Sequence, residues 1–84
     1  MKYSIIIAPK AKRQIDKLTE KVKDKLANAL QELSNNPYLG KPLKAQLKGL
    51  FSCRIGDYRI IYDIVKKQLI VQIIKIMHRK DVYR

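Results

Sequence analysis

Apolar and polar positions change their spacing several times along this chain. Residues 2–8, Lys-Tyr-Ser-Ile-Ile-Ile-Ala, form a short run rich in β-branched side chains and predict a first strand. Pro9 suits the first turn of a helix. Ala11, Ile15 and Leu18 then recur at helical spacing, with Lys10, Lys12, Arg13, Asp16 and Lys17 on the other face. Thr19 is placed to cap a second helix, with Glu20 at its positive end. Val22, Leu26, Ala29, Leu30 and Leu33 make that helix's apolar stripe, and Asn35-Asn36-Pro37 stops it. Two nearly contiguous helices predict an antiparallel helix hairpin.

Residues 37–49 carry two prolines and two glycines and read as an irregular connection, pinned to the core by Leu43 and Leu47. Three strands follow, Leu50–Ile55, Tyr58–Val65 and Leu69–Met77. Lys66-Lys67-Gln68 forms the turn between the last two. The last strand is almost continuously apolar, which predicts a central strand covered on both faces. The order β-α-α-β-β-β gives an α+β fold. The two helices pack on one face of a small, mainly antiparallel four-stranded sheet, within a single domain over 1–84.

Gly56-Asp57 between alternating runs reads as a two-residue hairpin loop. Ile55 then faces Tyr58, Arg54 faces Arg59 and Cys53 faces Ile60. Phe51, Cys53, Ile55, Tyr58, Ile60, Tyr62 and Ile64 form the core face, and Cys53 is expected to be a buried, inert thiol. Ser52, Arg54, Arg59, Ile61, Asp63 and Val65 form a polar, basic surface. Two arginines directly opposite each other repel, so the pairing needs a reason.

Charge supplies one. The 84 residues hold 19 Lys+Arg against 7 Asp+Glu, a formal net charge of +12. Such an excess favours an anionic partner. A single cysteine and a single histidine exclude a disulfide and argue against a zinc centre, so no metal or cofactor is expected. No apolar run reaches the length of a membrane span, and Met1–Lys10 is too short and charged for a signal peptide, which makes a cytoplasmic protein the natural reading. A phosphate seated between Arg54 and Arg59 would turn repulsion into binding, because guanidinium forks match phosphate oxygens. Arg79, Arg84, His78 and Tyr83 follow the last strand. Lys75 shares the arginine face in one hairpin register and leaves it in the other. Cleavage of RNA by its own 2′-OH needs charge stabilisation, which arginine gives, and proton transfer, for which His78 and Tyr83 are the candidates.

The runs LKGLFSCRIGDYRIIYDI and IIKIMHRKDVYR resemble the RelE toxins of the RelE/ParE superfamily, and the resemblance covers the whole chain. It implies a microbial-RNase-like fold, the toxin half of a toxin–antitoxin pair, and cleavage of messenger RNA in the ribosomal A site. Carried over by position, Arg54 would hold the scissile phosphate and Arg59 would stabilise the transition state. Arg79 would serve the leaving group, and Tyr83 would activate the 2′-OH or stack on a base. Lys44, Lys48 and Arg84 would bind messenger or ribosomal RNA. Family members often carry a second basic residue where this chain has Ser52; His78, Lys75 or Lys48 are candidates to compensate. The partners implied are the ribosome with its message and an acidic, partly disordered antitoxin, anchored on exposed apolar residues of the helix hairpin, with no membrane. Two alternatives stay open: a ParE-like poison of DNA gyrase, and a relative that binds without catalysis.

Overall fold

The computed structural model describes residues 2–82. The elements are β1 (Ser4–Ile7), α1 (Pro9–Asp16), α2 (Glu20–Asn35), β2 (Lys41–Pro42), β3 (Phe51–Ile55), β4 (Tyr58–Val65), β5 (Ile70–His78) and the short α3 (Arg79–Val82). The sheet order is β1-β5-β4-β3-β2, with β1 parallel to β5 and the other pairs antiparallel. The fold is α+β as expected, with five strands rather than four. The additional strand is β2, two residues inside the stretch read as irregular. Prolines and glycines hid it, and only a tertiary partner makes it a strand.

The helices form where the spacing places them. Pro9 opens α1. The Thr19 hydroxyl accepts from the Val22 N–H at 3.4 Å and caps α2, which ends at Asn35. Ala11 from α1 and Leu26, Ala29 and Leu33 from α2 join Ile55, Ile60, Tyr62, Val71, Ile73 and Ile76 in one buried cluster. Where β1 ends, β5 loses its partner on that edge while staying paired with β4 on the other. The Gln14 side-chain carbonyl then accepts the Ile76 N–H at 2.8 Å and ties α1 to the exposed part of the ladder.

The β3–β4 hairpin has the expected register: Ile55 opposite Tyr58, Arg54 opposite Arg59, Cys53 opposite Ile60. Gly56 has a φ of +61°, whereas Asp57 is not in the positive-φ region. Glycine at the first loop position is what a type II′ hairpin turn requires. Between β4 and β5 a bulge falls after Ile61, so that Ile61 pairs with Lys75 and Tyr62 with Ile73. Lys75 and Met77 therefore share the face of Ile61 and Arg59. The chain turns into β5 through a one-turn 3-10 helix at Lys66–Gln68, and Leu69 lies in the left-handed region outside the strand.

Three expectations about faces need correction. Ser52 and Ile61, assigned to a solvated surface, are buried at 5% and 2% exposure. They occupy the middle of a cross-strand row, Lys41–Ser52–Ile61–Lys75, with a lysine at each end. Aliphatic lysine stems can cover small and apolar neighbours while their ammonium heads stay wet. Nor is β5 closed on both faces: Val71, Ile73 and Ile76 are buried, whereas Gln72, Lys75 and Met77 are half-buried. The bulge and the parallel pairing with β1 account for its apolar run. Finally, among the described residues the exposed large apolar side chains are Ile6 and Ile7 on β1 and Tyr38 and Leu39 after α2, rather than residues of α1 and α2.

Cys53 is half-buried rather than buried, and packs against the core. Burial pushes its thiol pKa up, and the nearby Glu32 carboxylate adds to the rise. Thiolate is the reactive form. Alkylation by iodoacetamide at pH 8 should therefore be slower in the folded protein than in the same chain unfolded in urea. Equal rates would mean that the thiol is not shielded.

Candidate active site at the hairpin tip

The geometry begins with the arginine pair. Arg54, Arg59 and Met77 lie in one cross-strand row. The adjacent row on this face holds Lys41, Ser52, Ile61 and Lys75, so neither row contains a carboxylate. Asp63 is on the same face, but its carboxylate accepts the Ile64 N–H at 2.9 Å. It lies four residues along β4 from Arg59, roughly 13 Å at strand spacing. It does not neutralise the pair.

Both arginines have defined surroundings. Arg54 turns toward the hairpin tip, where its Nε donates to the Gly56 carbonyl at 3.2 Å. Arg59 is half-buried on the longer strand β4. Arg79 reaches the same tip from the other end of the chain. Its N–H donates to the Asp57 carbonyl at 2.7 Å, and its guanidinium stands 3.8 Å from the Asp57 carboxylate. That ion pair is more than half exposed on both sides and contributes little to stability. Its effect is positional, since it ties the start of α3 to the β3–β4 turn.

Arg54, Arg59 and Arg79 line one cleft of about 290 Å³, together with Gly56, Asp57, Tyr58 and Lys80. A second cleft of about 220 Å³ adjoins it across Arg54 and Arg59, lined further by Leu39, Gly40, Lys41, Ser52 and Cys53. The arginine pair is thus the wall common to two openings. Such a cleft can hold a dianionic phosphate, or a phosphorane as charge builds on it.

The other sequence-derived candidates divide. Lys75 joins the arginine face but lines neither cleft. His78 pairs with Tyr58 on the opposite, helix-covered side. The two rings meet edge to face at 5.0 Å, and His78 Nδ1 accepts the Lys80 N–H at 3.2 Å. It shapes the start of α3 instead of facing the arginines. Lys44 and Lys48 are exposed in the loop between β2 and β3, outside both clefts. Tyr83 and Arg84 lie outside the described residues. Among the described residues no group of three His, Cys, Asp or Glu side chains is placed to hold a metal ion.

Sequence reasoning missed four contributors: Asp57 and Lys80 at the first cleft, Gly40 and Lys41 at the second. Asp57 was legible as a turn residue but not as the partner of Arg79. Gly40 and Lys41 were hidden because the two-residue strand that starts at Lys41 has no periodicity to detect.

The described residues thus combine a small, mainly antiparallel sheet, two helices and a basic cleft at the tip of the β3–β4 hairpin. Residues 5–83 match the ParE toxin of type II toxin–antitoxin systems. The chain belongs to this family of type II toxins. Toxin RelG of Mycobacterium tuberculosis is 36% identical over 86 residues, spanning 100% of this chain and 99% of its own length. Toxin RelE of the same organism is 40% identical over 84 residues, covering 98% of this chain and 87% of its own. The toxin–antitoxin complex RelBE2 of M. tuberculosis contains a chain 33% identical to this one. It superposes with a TM-score of 0.86 over 94% of this chain and 100% of that one. The intact E. coli RelBE complex, at 18% identity, shares the fold with a TM-score of 0.79, over 90% of this chain and 95% of that one.

Proposed function

We propose that this toxin is an endoribonuclease that cuts messenger RNA in the ribosomal A site, with the hairpin-tip cleft as its catalytic centre. The observation that carries the reading is the convergence of Arg54, Arg59 and Arg79 on one cleft. In the reaction, the ribose 2′-OH attacks the adjacent phosphorus and loses its proton. The bond to the departing 5′ oxygen breaks, and that oxygen gains a proton. The products are a 2′,3′-cyclic phosphate and a free 5′-OH. Arg54 and Arg59 hold the phosphate and stabilise the charge that builds on its equatorial oxygens. Arg79 lies across the cleft and stabilises the departing oxygen. Arginine is a poor proton carrier. Proton transfer falls to Tyr83 or to water, and the ribosome supplies the orientation that the protein alone does not.

The partner is a cognate antitoxin. Support comes from the solved relatives that are toxin–antitoxin complexes, from the +12 charge, and from the exposed Ile6 and Ile7 on the edge strand β1. An acidic segment with apolar anchors fits that surface.

Primer extension on a defined message, in a purified translation mixture with ribosomes stalled at a known codon, is the test. Cuts confined to the A-site codon, and only with ribosomes present, are expected. The match to the ParE toxin favours a second reading, poisoning of DNA gyrase. Intact message together with inhibited supercoiling in a gyrase assay would establish that reading and remove the nuclease.

A further inference from the structure

The second cleft is not used by the chemistry above, and its construction is specific. The Tyr62 hydroxyl is buried. It donates to the Pro37 carbonyl at 2.7 Å and accepts the Gly40 N–H at 3.1 Å. This clamps the chain after α2 against the sheet. A side chain at Gly40 would collide with the Tyr62 hydroxyl and the Ser52 carbonyl oxygen, so glycine alone lets the backbone pass. The next residue, Lys41, then falls directly opposite Ser52 on the arginine face. Ser52 Oγ is buried without a hydrogen-bond partner, beneath the cleft that Lys41, Arg54 and Arg59 wall. Serine is short, and the cation in this row comes from the neighbouring strand.

Lys41 lies one row along β3, roughly 6.6 Å, and one strand outward, roughly 4.8 Å, from Arg54, so their backbones are roughly 8 Å apart. Long lysine and arginine side chains span the difference between that separation and one nucleotide step of an extended single strand. Resting on the nuclease reading, we propose that the cleft is a second phosphate subsite, in which Lys41 binds the phosphodiester next to the one held by Arg54 and Arg59.

The test is equilibrium binding of uncleavable 2′-O-methyl RNA at low salt, comparing a trinucleotide with two phosphodiesters and a dinucleotide with one. Lys41→Ala should weaken the trinucleotide by at least about fivefold, on the scale of one charge-assisted hydrogen bond. It should shift the dinucleotide less than about twofold and lower the salt slope for the trinucleotide by about 0.7. Lys41→Arg should retain wild-type binding. Equal weakening of both ligands would reduce Lys41 to diffuse attraction and overturn the subsite. So would a wild-type protein that does not prefer the trinucleotide. Unchanged RNA binding with a weakened antitoxin complex would give the cleft to the acidic partner instead. Because no cleavage is measured, the subsite and the nuclease reading can fail separately.

Discussion

Replacing Arg54 and Arg59 together with alanine should abolish growth arrest while leaving the protein folded and able to bind its antitoxin. Removing one preorganised donor from a charge-stabilising site costs roughly 10²–10³ in rate. Removing both should lower A-site cleavage by more than about 10³-fold. Stability should move the other way or not at all. The two arginines are directly opposed across the strands, with no carboxylate in their row or the next. Like charges directly opposed destabilise a strand pair by about 0.2–1 kcal/mol, so their loss should leave the melting temperature unchanged or raised. Loss of arginine stem contacts offsets part of that gain. Opposite signs for activity and stability are the signature of a residue pair kept for a ligand. Growth arrest by the double variant would place the active site elsewhere. Lost activity with a lowered melting temperature would show that the arginines hold the fold. Arg54→Lys with Arg59→Lys separates charge from fork geometry: a lysine pair should bind RNA with little loss and still cleave poorly.

Much of this was legible in the sequence, for identifiable reasons. The Gly56-Asp57 loop fixes the hairpin register, and the period of two then places Arg54 against Arg59 without further information. The helices follow from apolar spacing and from the Thr19 cap. What stayed hidden depends on contacts distant in sequence. The bulge after Ile61 decides that Lys75 faces the arginines. No local signal marks it, because Ile60, Ile61, Tyr62, Ile73 and Ile74 around it are all good strand formers. The burial of Ser52 and Ile61 was missed because alternation reports which face a residue is on, not what lies over it. His78 reads as a catalytic candidate from its chemistry, yet strand β5 continues through it and turns its ring toward Tyr58 on the far side. In each case the sequence names the chemistry, and a partner tens of residues away decides its direction. Arg79 is the favourable instance. Its link to Asp57 brings the chain's end to the hairpin tip and completes a cleft that neither segment forms alone.

Tyr62→Phe should be the most damaging conservative substitution in the sheet. The side chain is fully buried and stacks on Phe51 at 5.7 Å between ring centres. Phenylalanine keeps the packing and removes one oxygen. The buried Pro37 carbonyl and the half-buried Gly40 N–H then lose their partner. A buried polar group left unpaired costs about 1–3 kcal/mol, and for a domain of this size 1 kcal/mol lowers the melting temperature by roughly 4–8 °C. A fall of about 10 °C is expected. The hydroxyl also gives a pH signature. Burial pushes its pKa from 10.0 up to about 12, and the Gly40 N–H lowers it only in part. A proton held more tightly in the folded state stabilises that state below the unfolded pKa. That contribution is lost as pH rises from about 10 toward 12. The wild-type protein should therefore lose stability more steeply than Tyr62→Phe across that window, and the gap between them should narrow. The same substitution should loosen β2 and with it Lys41. Trinucleotide binding should then fall as it does in Lys41→Ala, while Arg54 and Arg59 still hold the dinucleotide. A variant with unchanged melting temperature and intact trinucleotide binding would mean that the clamp on Pro37 and Gly40 does not position the strand.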